Sequence, residues 1–228
     1  NYKKPKMKYY LTYILFIICS ISFSQNIDEK RDILIHNLCN ILSENKNLND
    51  LDRINLVNQD VSLIKYFKDF SKDEIQAEEE AIFYRFQKKC KEYTDIIKKF
   101  SEKNNENWIT LENLPKSTIN DKDYNLVKSA SELYYFDYEG NKTIVKIEDN
   151  NWIEYFIDES FSKLKLYWIK NNDFNLEFLE SNNSMKKSFS RKGEIYQYRI
   201  LSKENNYYWI AYYTKDLNNI VKFKLYIQ

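Results

Sequence analysis

The stretch "NNYYWIAYY", residues 205–213, decides the fold because it places five large aromatic rings within nine residues. In a strand, alternate side chains lie on opposite faces of the sheet. One face would carry Tyr207, Trp209, Ala211 and Tyr213, and the other would carry Tyr208, Ile210 and Tyr212. Both faces are mostly apolar, so we expect a strand in the middle of a sheet, or one whose outer face is covered by the helical half of the chain.

The alternative for these rings is a stacking surface for single-stranded nucleic acid, which needs basic residues around the aromatic side chains. Here Lys203 and Lys215 are accompanied by Glu204 and Asp216. Over the whole chain, 35 basic and 34 acidic residues leave a net charge of +1, so no global field draws the protein onto nucleic acid or anionic lipid. The sequence therefore predicts a core strand and no nucleic-acid partner.

Other segments around this stretch have an apolar period of two and are separated by clusters of Asn, Asp, Gly and Ser, which is typical of antiparallel strands joined by turns. The predicted strands cover residues 133–138, 143–149, 152–158, 163–169, 174–180, 195–201, 207–213 and 221–227. We therefore predict an α+β protein whose β domain, residues 126–228, is an antiparallel up-and-down, lipocalin-like sheet or barrel of about eight strands.

A barrel of that size encloses its own side chains or one small apolar ligand. The bulky residues expected to point inward and fill it are Trp168, Phe174, Phe178, Trp209 and Phe223. A ligand pocket is the alternative, and its candidate residues are Trp152, Glu154, Trp168, Phe178 and Trp209. Glu154 would lie among aromatic side chains, or would be exposed if the register of its strand is shifted by one residue.

The first half of the chain has helical periodicity, which predicts a three-helix domain over residues 25–100. The first helix has an apolar face at Ile33, Leu34, Leu38, Ile41 and Leu42, and the second has one at Leu51, Ile54, Val57, Val61 and Ile64. Ser71 and Glu74 form a capping box at the start of the third helix, which extends to Phe100. The polar residues 101–125 that follow predict a linker.

The segment 1–24 has the order of a secretory signal peptide. Four lysines lie within the first eight residues, an apolar run extends from Leu11 to Ile18, and Ser22-Phe23-Ser24 forms a small-x-small cleavage pattern. The apolar run is shorter than the ~20 residues that a membrane-spanning helix needs. We expect cleavage after Ser24, no integral membrane span in the mature protein, and a location in the periplasm, in the outer envelope or outside the cell. The alternative is an uncleaved membrane anchor.

Removal of that signal removes Cys19 and leaves Cys39 and Cys90. An even pair of cysteines in an exported protein predicts a disulfide, here between the first and third helices. Two buried free thiols are the alternative. We expect no metal site, because two cysteines without further ligands bind metal weakly.

The near absence of glycine and histidine excludes several chemistries. Gly140 and Gly193 are the only two glycines, so neither a nucleotide-binding loop nor a dinucleotide-binding loop is present, and we expect no cofactor. His36 is the single histidine and lies in a helical pattern, which excludes paired-histidine metal sites.

Three groups of charged residues remain as candidates for chemistry. Glu154 and Asp158 are four residues apart, so on one strand they would share a face and could serve an envelope hydrolase. Consecutive carboxylates at 78–80 fan around a helix and favour a solvated face. A basic group in the longest gap between strands favours a solvated loop, with a protein contact or anion site as the alternative; it comprises Lys186, Lys187, Arg191 and Lys192.

The segment 160–183, "SFSKLKLYWIKNNDFNLEFLESNN", and the later "GEIYQYRILSKENNYYWIAYY" resemble a loose group of small exported proteins from AT-rich Gram-negative bacteria. The resemblance covers Leu133 to Ile227. Asn172 occupies the place of a cysteine in that group, which puts the group's extra disulfide in doubt. The resemblance implies export and a lipocalin-like strand domain, and it carries over no catalytic residue.

Together these patterns predict a non-enzymatic exported protein that binds a protein partner or a small apolar ligand. One alternative is an immunity or inhibitor protein that blocks a delivered toxin. The other is the envelope hydrolase that would use Glu154 and Asp158.

Overall fold

Nine antiparallel strands form one sheet, and their order closes it into an irregular ring. This computed structural model describes residues 27–100, 105–170, 172–214 and 219–228, so the predicted signal peptide lies outside the described residues. The strands are β1 (Trp108–Leu111), β2 (Glu132–Phe136), β3 (Lys142–Glu148), β4 (Asn151–Tyr155), β5 (Phe161–Trp168), β6 (Asp173–Ser181), β7 (Ile195–Glu204), β8 (Tyr207–Thr214) and β9 (Asn219–Ile227). The prediction of an α+β fold with an up-and-down antiparallel sheet is confirmed.

Strands β2 to β8 each pair with the next strand in the chain, and β9 closes the ring by pairing with β2. That closing contact is short: Leu133 lies opposite Ile227, and Tyr134 lies opposite Tyr226. Strand β1 pairs with the rest of that edge of β9, with Trp108 opposite Phe223. The Trp108 indole donates a hydrogen bond to the carbonyl of Phe136 at the end of β2, so β1 fills the gap that the short closing contact leaves.

The alternating apolar residues of the strands form one core inside the ring. Leu164, Leu166, Phe174, Leu176 and Phe178 are all at most 5% exposed, as their alternation with polar residues predicts. Both faces of β8 are buried, as expected. Its Tyr208 and Ile210 belong to the core inside the ring, whereas Trp209 and Ala211 form a second cluster with Leu201.

The predicted linker, residues 101–125, contains β1 and the first half of a helix, α6 (Asp121–Ser129), which packs on the ring. Val127 of α6 is 1% exposed and belongs to the core, and the Tyr124 ring lies 5.9 Å from that of Trp168. This end of the ring, which carries the β3–β4, β5–β6 and β7–β8 turns, is called the helix end below. The opposite end, called the loop end, carries the turns 137–141 and 156–160 and the loop 182–194 with helix α7 (Ser184–Phe189).

The other helices are α1 (residues 27–44), α2 (Asp50–Asn58), α3 (Val61–Phe67), α4 (Lys72–Lys89) and α5 (Lys91–Phe100). The chain divides into two compact units, residues 1–75 and 76–228, with the division in the first turn of α4. In the first unit, Arg53 of α2 donates two hydrogen bonds to the carbonyl of Leu42 (3.1 and 2.7 Å), which satisfies an acceptor at the end of α1.

The second and third predicted helices are each divided in two. Asp60 accepts a hydrogen bond from the amide of Ser62 (2.8 Å) and so starts α3 as a new helix. The division between α4 and α5 lies at Cys90, whose carbonyl accepts from the Thr94 hydroxyl (3.0 Å). The predicted capping box is confirmed, because the amide of Ser71 donates to the carboxylate of Glu74 (2.7 Å).

Candidate functional site at the loop end

Glu154 is a carboxylate inside the ring and is 8% exposed. It points inward because it alternates on β4 with Tyr155, and Trp152 on the same face is also buried. The Tyr135 hydroxyl donates to Glu154 Oε1 (3.0 Å), and the Trp152 indole N–H lies 3.3 Å from the same atom. Two fixed donors therefore hold one carboxylate oxygen and leave Oε2 for a third partner.

That third partner is Lys186 of α7, whose Nζ lies 3.4 Å from Glu154 Oε2. The same ammonium group lies 5.4 Å from the centroid of the Phe156 ring, within the range of a cation–π contact. Asn183 caps α7 by accepting a hydrogen bond from the amide of Lys186 (3.1 Å), which fixes where the side chain leaves the loop. The ammonium of Lys186 thus sits between a carboxylate oxygen and an aromatic face.

The two loops on either side of this ion pair are bonded to each other. Asn183 donates to the Ser160 hydroxyl (2.9 Å) and to Asp158 Oδ2 (3.4 Å), and the amide of Phe161 donates to the side chain of Asn182 (2.7 Å). Hydrogen bonds from the hydroxyl and amide of Ser160 lower the pKa of Asp158. The turn 156–160 and the loop 182–194 are therefore joined into one ordered surface, in which Asp158 is ionised.

The two loops and the end of β4 expose large apolar side chains at the loop end. Ile157 is 75% exposed, Met185 is 42% exposed and Tyr155 is 40% exposed. A single exposed apolar residue is normal on a protein surface, but a group of them on hydrogen-bonded loops is typical of an interaction surface.

A second ionic cluster joins α4 to the loop 182–194. Arg85 Nη1 lies 2.7 Å from Glu194 Oε1, and the Lys88 ammonium binds Glu194 Oε2 and the Tyr196 hydroxyl. The Arg85 and Lys88 side chains are 2% and 8% exposed. Gly193 precedes Glu194 with a φ of +88°, which favours glycine, and its amide donates to the carbonyl of Phe178 (2.8 Å).

Burial and charge act in opposite directions on this cluster. Burial lowers the pKa of Lys88 to about 8, although the attraction of Glu194 partly opposes that effect. Burial raises the pKa of Glu194, but Lys88, the amide of Arg191 and the charge of Arg85 outweigh it and lower the value to about 2. Glu194 therefore stays ionised and forms ion pairs with both buried cations of α4.

Buried tyrosines line the ring between the two ionic clusters. Burial raises the pKa of the phenols of Tyr196, Tyr198 and Tyr212. Each phenol is therefore protonated at neutral pH, and Tyr196 shares a hydrogen bond with the Ser190 hydroxyl. The interior at the loop end is polar but contains matched donors, acceptors and charges.

Four of the five predicted ligand-binding residues lie inside the ring. Trp152 and Phe178 belong to the core, Glu154 lies beside Trp152, and Trp168 packs on the core at the helix end. The structure places Trp209 on the outer face of β8, with Lys222 Nζ 4.0 Å from its ring. The expectation that Trp209 points inward is wrong, because both faces of its strand are apolar and the sequence pattern does not distinguish them.

The predicted pairing of Glu154 with Asp158 on one strand face does not occur. Strand β4 ends at Tyr155, and Asp158 lies in the following turn, where it accepts hydrogen bonds from Ser160. The basic group of the loop 182–194 was expected to be solvated. Its Lys186 instead binds Glu154, while Lys187 and Lys192 are exposed.

Sequence reasoning missed the cluster of Arg85, Lys88 and Glu194. A signal for it exists on α4, where Arg85 falls on the buried stripe between Ile82 and Phe86. A charged residue on an apolar stripe indicates a buried partner, because a buried charge is costly unless it is paired. The carboxylate partner, Glu194, has no such signal in the sequence. It lies more than a hundred residues after Arg85 and directly follows a turn glycine, outside any periodic pattern.

Cys39 and Cys90 are disulfide-bonded, as predicted. Both sulfurs are therefore committed to that bond and offer no thiolate to a metal ion. His36 is exposed on α1, which agrees with its assignment as an ordinary helix residue. Among the described residues, no helix combines the length and the apolar character required to cross a membrane.

Comparison with known proteins finds no matching family model, no matching curated protein and no matching solved structure. The site itself is therefore the basis for assigning a function to this chain.

Proposed function

We propose that this chain is a non-enzymatic binding protein that works outside the cytoplasm and recognises a protein partner through the loop end of its ring. The observation that carries the proposal is the exposure of Ile157 and Met185 on two loops that are hydrogen-bonded to each other, with Tyr155 exposed at the end of the strand before the first loop. Burial of such side chains against a partner contributes free energy, and loops already in place lose little conformational entropy on binding.

The interior of the ring favours a protein partner over a small apolar ligand held in a lipocalin-like cavity. Phe174, Leu176 and Ile210 are at most 1% exposed and pack against one another in a single core. An apolar ligand would have to displace side chains of this kind, which costs several kcal/mol for each large residue that loses its contacts.

The buried charges favour binding over catalysis. Glu154 is bonded to Tyr135 and Lys186, and Glu194 is bonded to two cations of α4. A general acid or base must reach a substrate proton, whereas these carboxylates are each held by protein groups. The hydrolase hypothesis also depended on Glu154 and Asp158 sharing a strand face, and Asp158 lies in a turn.

Work outside the cytoplasm is supported by the bond between Cys39 and Cys90, because disulfides persist in oxidising compartments. The order of charged, apolar and small residues in the segment 1–24 supports the same proposal. The immunity or inhibitor hypothesis is the form of this proposal in which the partner is a toxin encoded by a neighbouring gene.

The experiment compares the wild-type chain with Ile157→Asp and Met185→Asp, each produced in the cells that naturally make the protein. Ile169→Asp is the matched control, because Ile169 is 45% exposed but lies at the helix end. We expect the wild type and the control to co-purify with the same partner in equal amounts, and both loop-end variants to lose it. Retention of the partner by all variants, or its loss from the control as well, would refute the loop end as the binding surface.

Localisation is tested separately by cell fractionation and N-terminal sequencing of the naturally produced protein. We expect a mature chain that begins at Gln25 and is found outside the cytoplasm. A cytoplasmic protein that retains residues 1–24 would contradict export. It would not affect the binding surface, which the co-purification experiment tests.

A further inference from the structure

We infer that the loop end contains a binding site for a primary alkylammonium group, in which Lys186 takes the place of a lysine side chain that the partner supplies. The inference rests on the proposed function and adds the chemistry of the group that the partner presents. It follows from the way in which Glu154, Phe156 and Lys186 are arranged.

The carboxylate of Glu154 is prepared to receive a cation. Its Oε1 accepts from Tyr135 and Trp152, so the group keeps its orientation when the cation leaves. The Glu154 side chain is 11% exposed, and a charge–charge contact in such a place is screened less by water than one on the surface.

The same arrangement selects an ammonium group over a guanidinium group. A guanidinium binds carboxylates best through two parallel hydrogen bonds to both oxygens. Because Oε1 is already bonded to Tyr135 and Trp152, one oxygen is left, and that suits a compact ammonium donor. The ring of Phe156 offers the face on which an ammonium and its alkyl stem pack.

Lys186 is held loosely enough to be replaced. Its side chain is 27% exposed, its Nζ lies at the long distance of 3.4 Å from Glu154, and α7 contains no buried residue. Lys88 in the neighbouring cluster is the contrast: its side chain is 8% exposed and binds both Glu194 and Tyr196. The contacts of Lys88 are those of a buried structural cation. Lys186 has fewer and longer contacts and is partly exposed, as expected of a cation that another ammonium group can replace.

The Lys186 ammonium belongs to the chain itself and competes with any external ammonium group for Glu154. The effective concentration of a group on a short flexible linker is in the millimolar range, so Lys186 weakens the binding of any external ammonium. Removal of the Lys186 ammonium should therefore uncover the site, whereas removal of the Glu154 charge should abolish it.

The experiment titrates n-butylammonium chloride into the full, disulfide-bonded chain. The chain has four tryptophans, so its ¹⁵N–¹H spectrum contains four indole signals, and that of Trp152 reports directly on Glu154. The variants are Lys186→Met and Lys186→Gln, each with and without Glu154→Gln, and 1-butanol is the neutral control ligand. The dispersion of each spectrum shows whether the variant is folded.

For both Lys186 variants we expect a saturable shift of the Trp152 indole signal with a Kd in the millimolar range. For the wild type we expect binding about tenfold weaker. Neither the variants that also carry Glu154→Gln nor the titration with 1-butanol should show the shift. The inference would be overturned by a folded Lys186 variant whose Trp152 indole signal does not shift with n-butylammonium, or shifts equally with 1-butanol.

The outcomes separate this inference from the proposed function. If n-butylammonium fails to bind but Ile157→Asp still removes the partner, the loop end binds a partner that does not place a lysine on Glu154. If n-butylammonium binds and the partner is retained by Ile157→Asp and Met185→Asp, the ammonium site exists and the partner surface lies elsewhere.

Discussion

Replacement of Glu194 by Gln should strongly destabilise the second unit of the chain. The substitution keeps the size of the side chain but removes the carboxylate that binds Arg85 and Lys88 of α4, whose side chains are 2% and 8% exposed. Removal of one partner from a buried ion pair costs about 3–5 kcal/mol. The lowered pKa of Glu194 has the direction expected if the two cations stabilise its carboxylate in the folded protein.

The pH dependence follows from the direction of that pKa change. A carboxyl whose pKa is lower in the folded protein contributes stability above its unfolded pKa of 4.5, and loses it as the pH falls through about 2. The part of the stability difference between the wild type and Glu194→Gln that comes from the Glu194 carboxylate should therefore shrink as the pH falls from about 4.5 towards 2.

The assay is urea unfolding of the full chain, followed by tryptophan fluorescence at several pH values. Glu180→Gln is the matched control, because Glu180 lies exposed at the end of β6, and we expect it to change the unfolding free energy by less than about 0.5 kcal/mol. A loss below about 1 kcal/mol for Glu194→Gln at pH 7, or a loss that is independent of pH down to 2.5, would refute this reasoning.

The remaining predictions concern other parts of the fold. Tyr135→Phe removes a donor to the buried Glu154 and should cost about 1–3 kcal/mol of unfolding free energy in urea; a neutral effect would show that the carboxylate does not depend on it. Arg53→Met removes two donors from a buried carbonyl at the end of α1 and should cost about 1–3 kcal/mol of unfolding free energy in urea, and an unchanged unfolding free energy would contradict that role. Replacement of Cys39 and Cys90 by Ser opens a loop of about 50 residues and should cost about 4 kcal/mol; an equal effect of reductant on this variant and on the wild type would contradict it.

The strands could be predicted from the sequence because each has a polar and an apolar face. Leu164 and Leu166 alternate with Lys163 and Lys165. This period of two is sufficient to predict a strand and to identify the face that packs in the core. Trp209 lies on a strand with two apolar faces, so the same rule could not tell which face is inward. Its outer position becomes clear from its burial against Leu201 and Ala211.

The loop end could be predicted in part. The sequence identified Glu154 among aromatic residues and the basic group that contains Lys186, but not the contact between them. The contact joins β4 to a loop 32 residues later through ring closure, which depends on the paths of the intervening strands. Strand β1 was missed because its four residues lie in a polar segment and are paired by a strand at the other end of the domain.

Position-specific photocrosslinking tests the central claim most directly, namely that the loop end is the surface that binds a partner. A photoreactive phenylalanine analogue replaces Ile157 in one variant and Ile169 in another, and both are irradiated in the cells that naturally make the protein. We predict one discrete crosslinked protein from position 157 and none from position 169. Crosslinks of the same protein from position 169 alone, or a folded protein with none from position 157, would contradict the account.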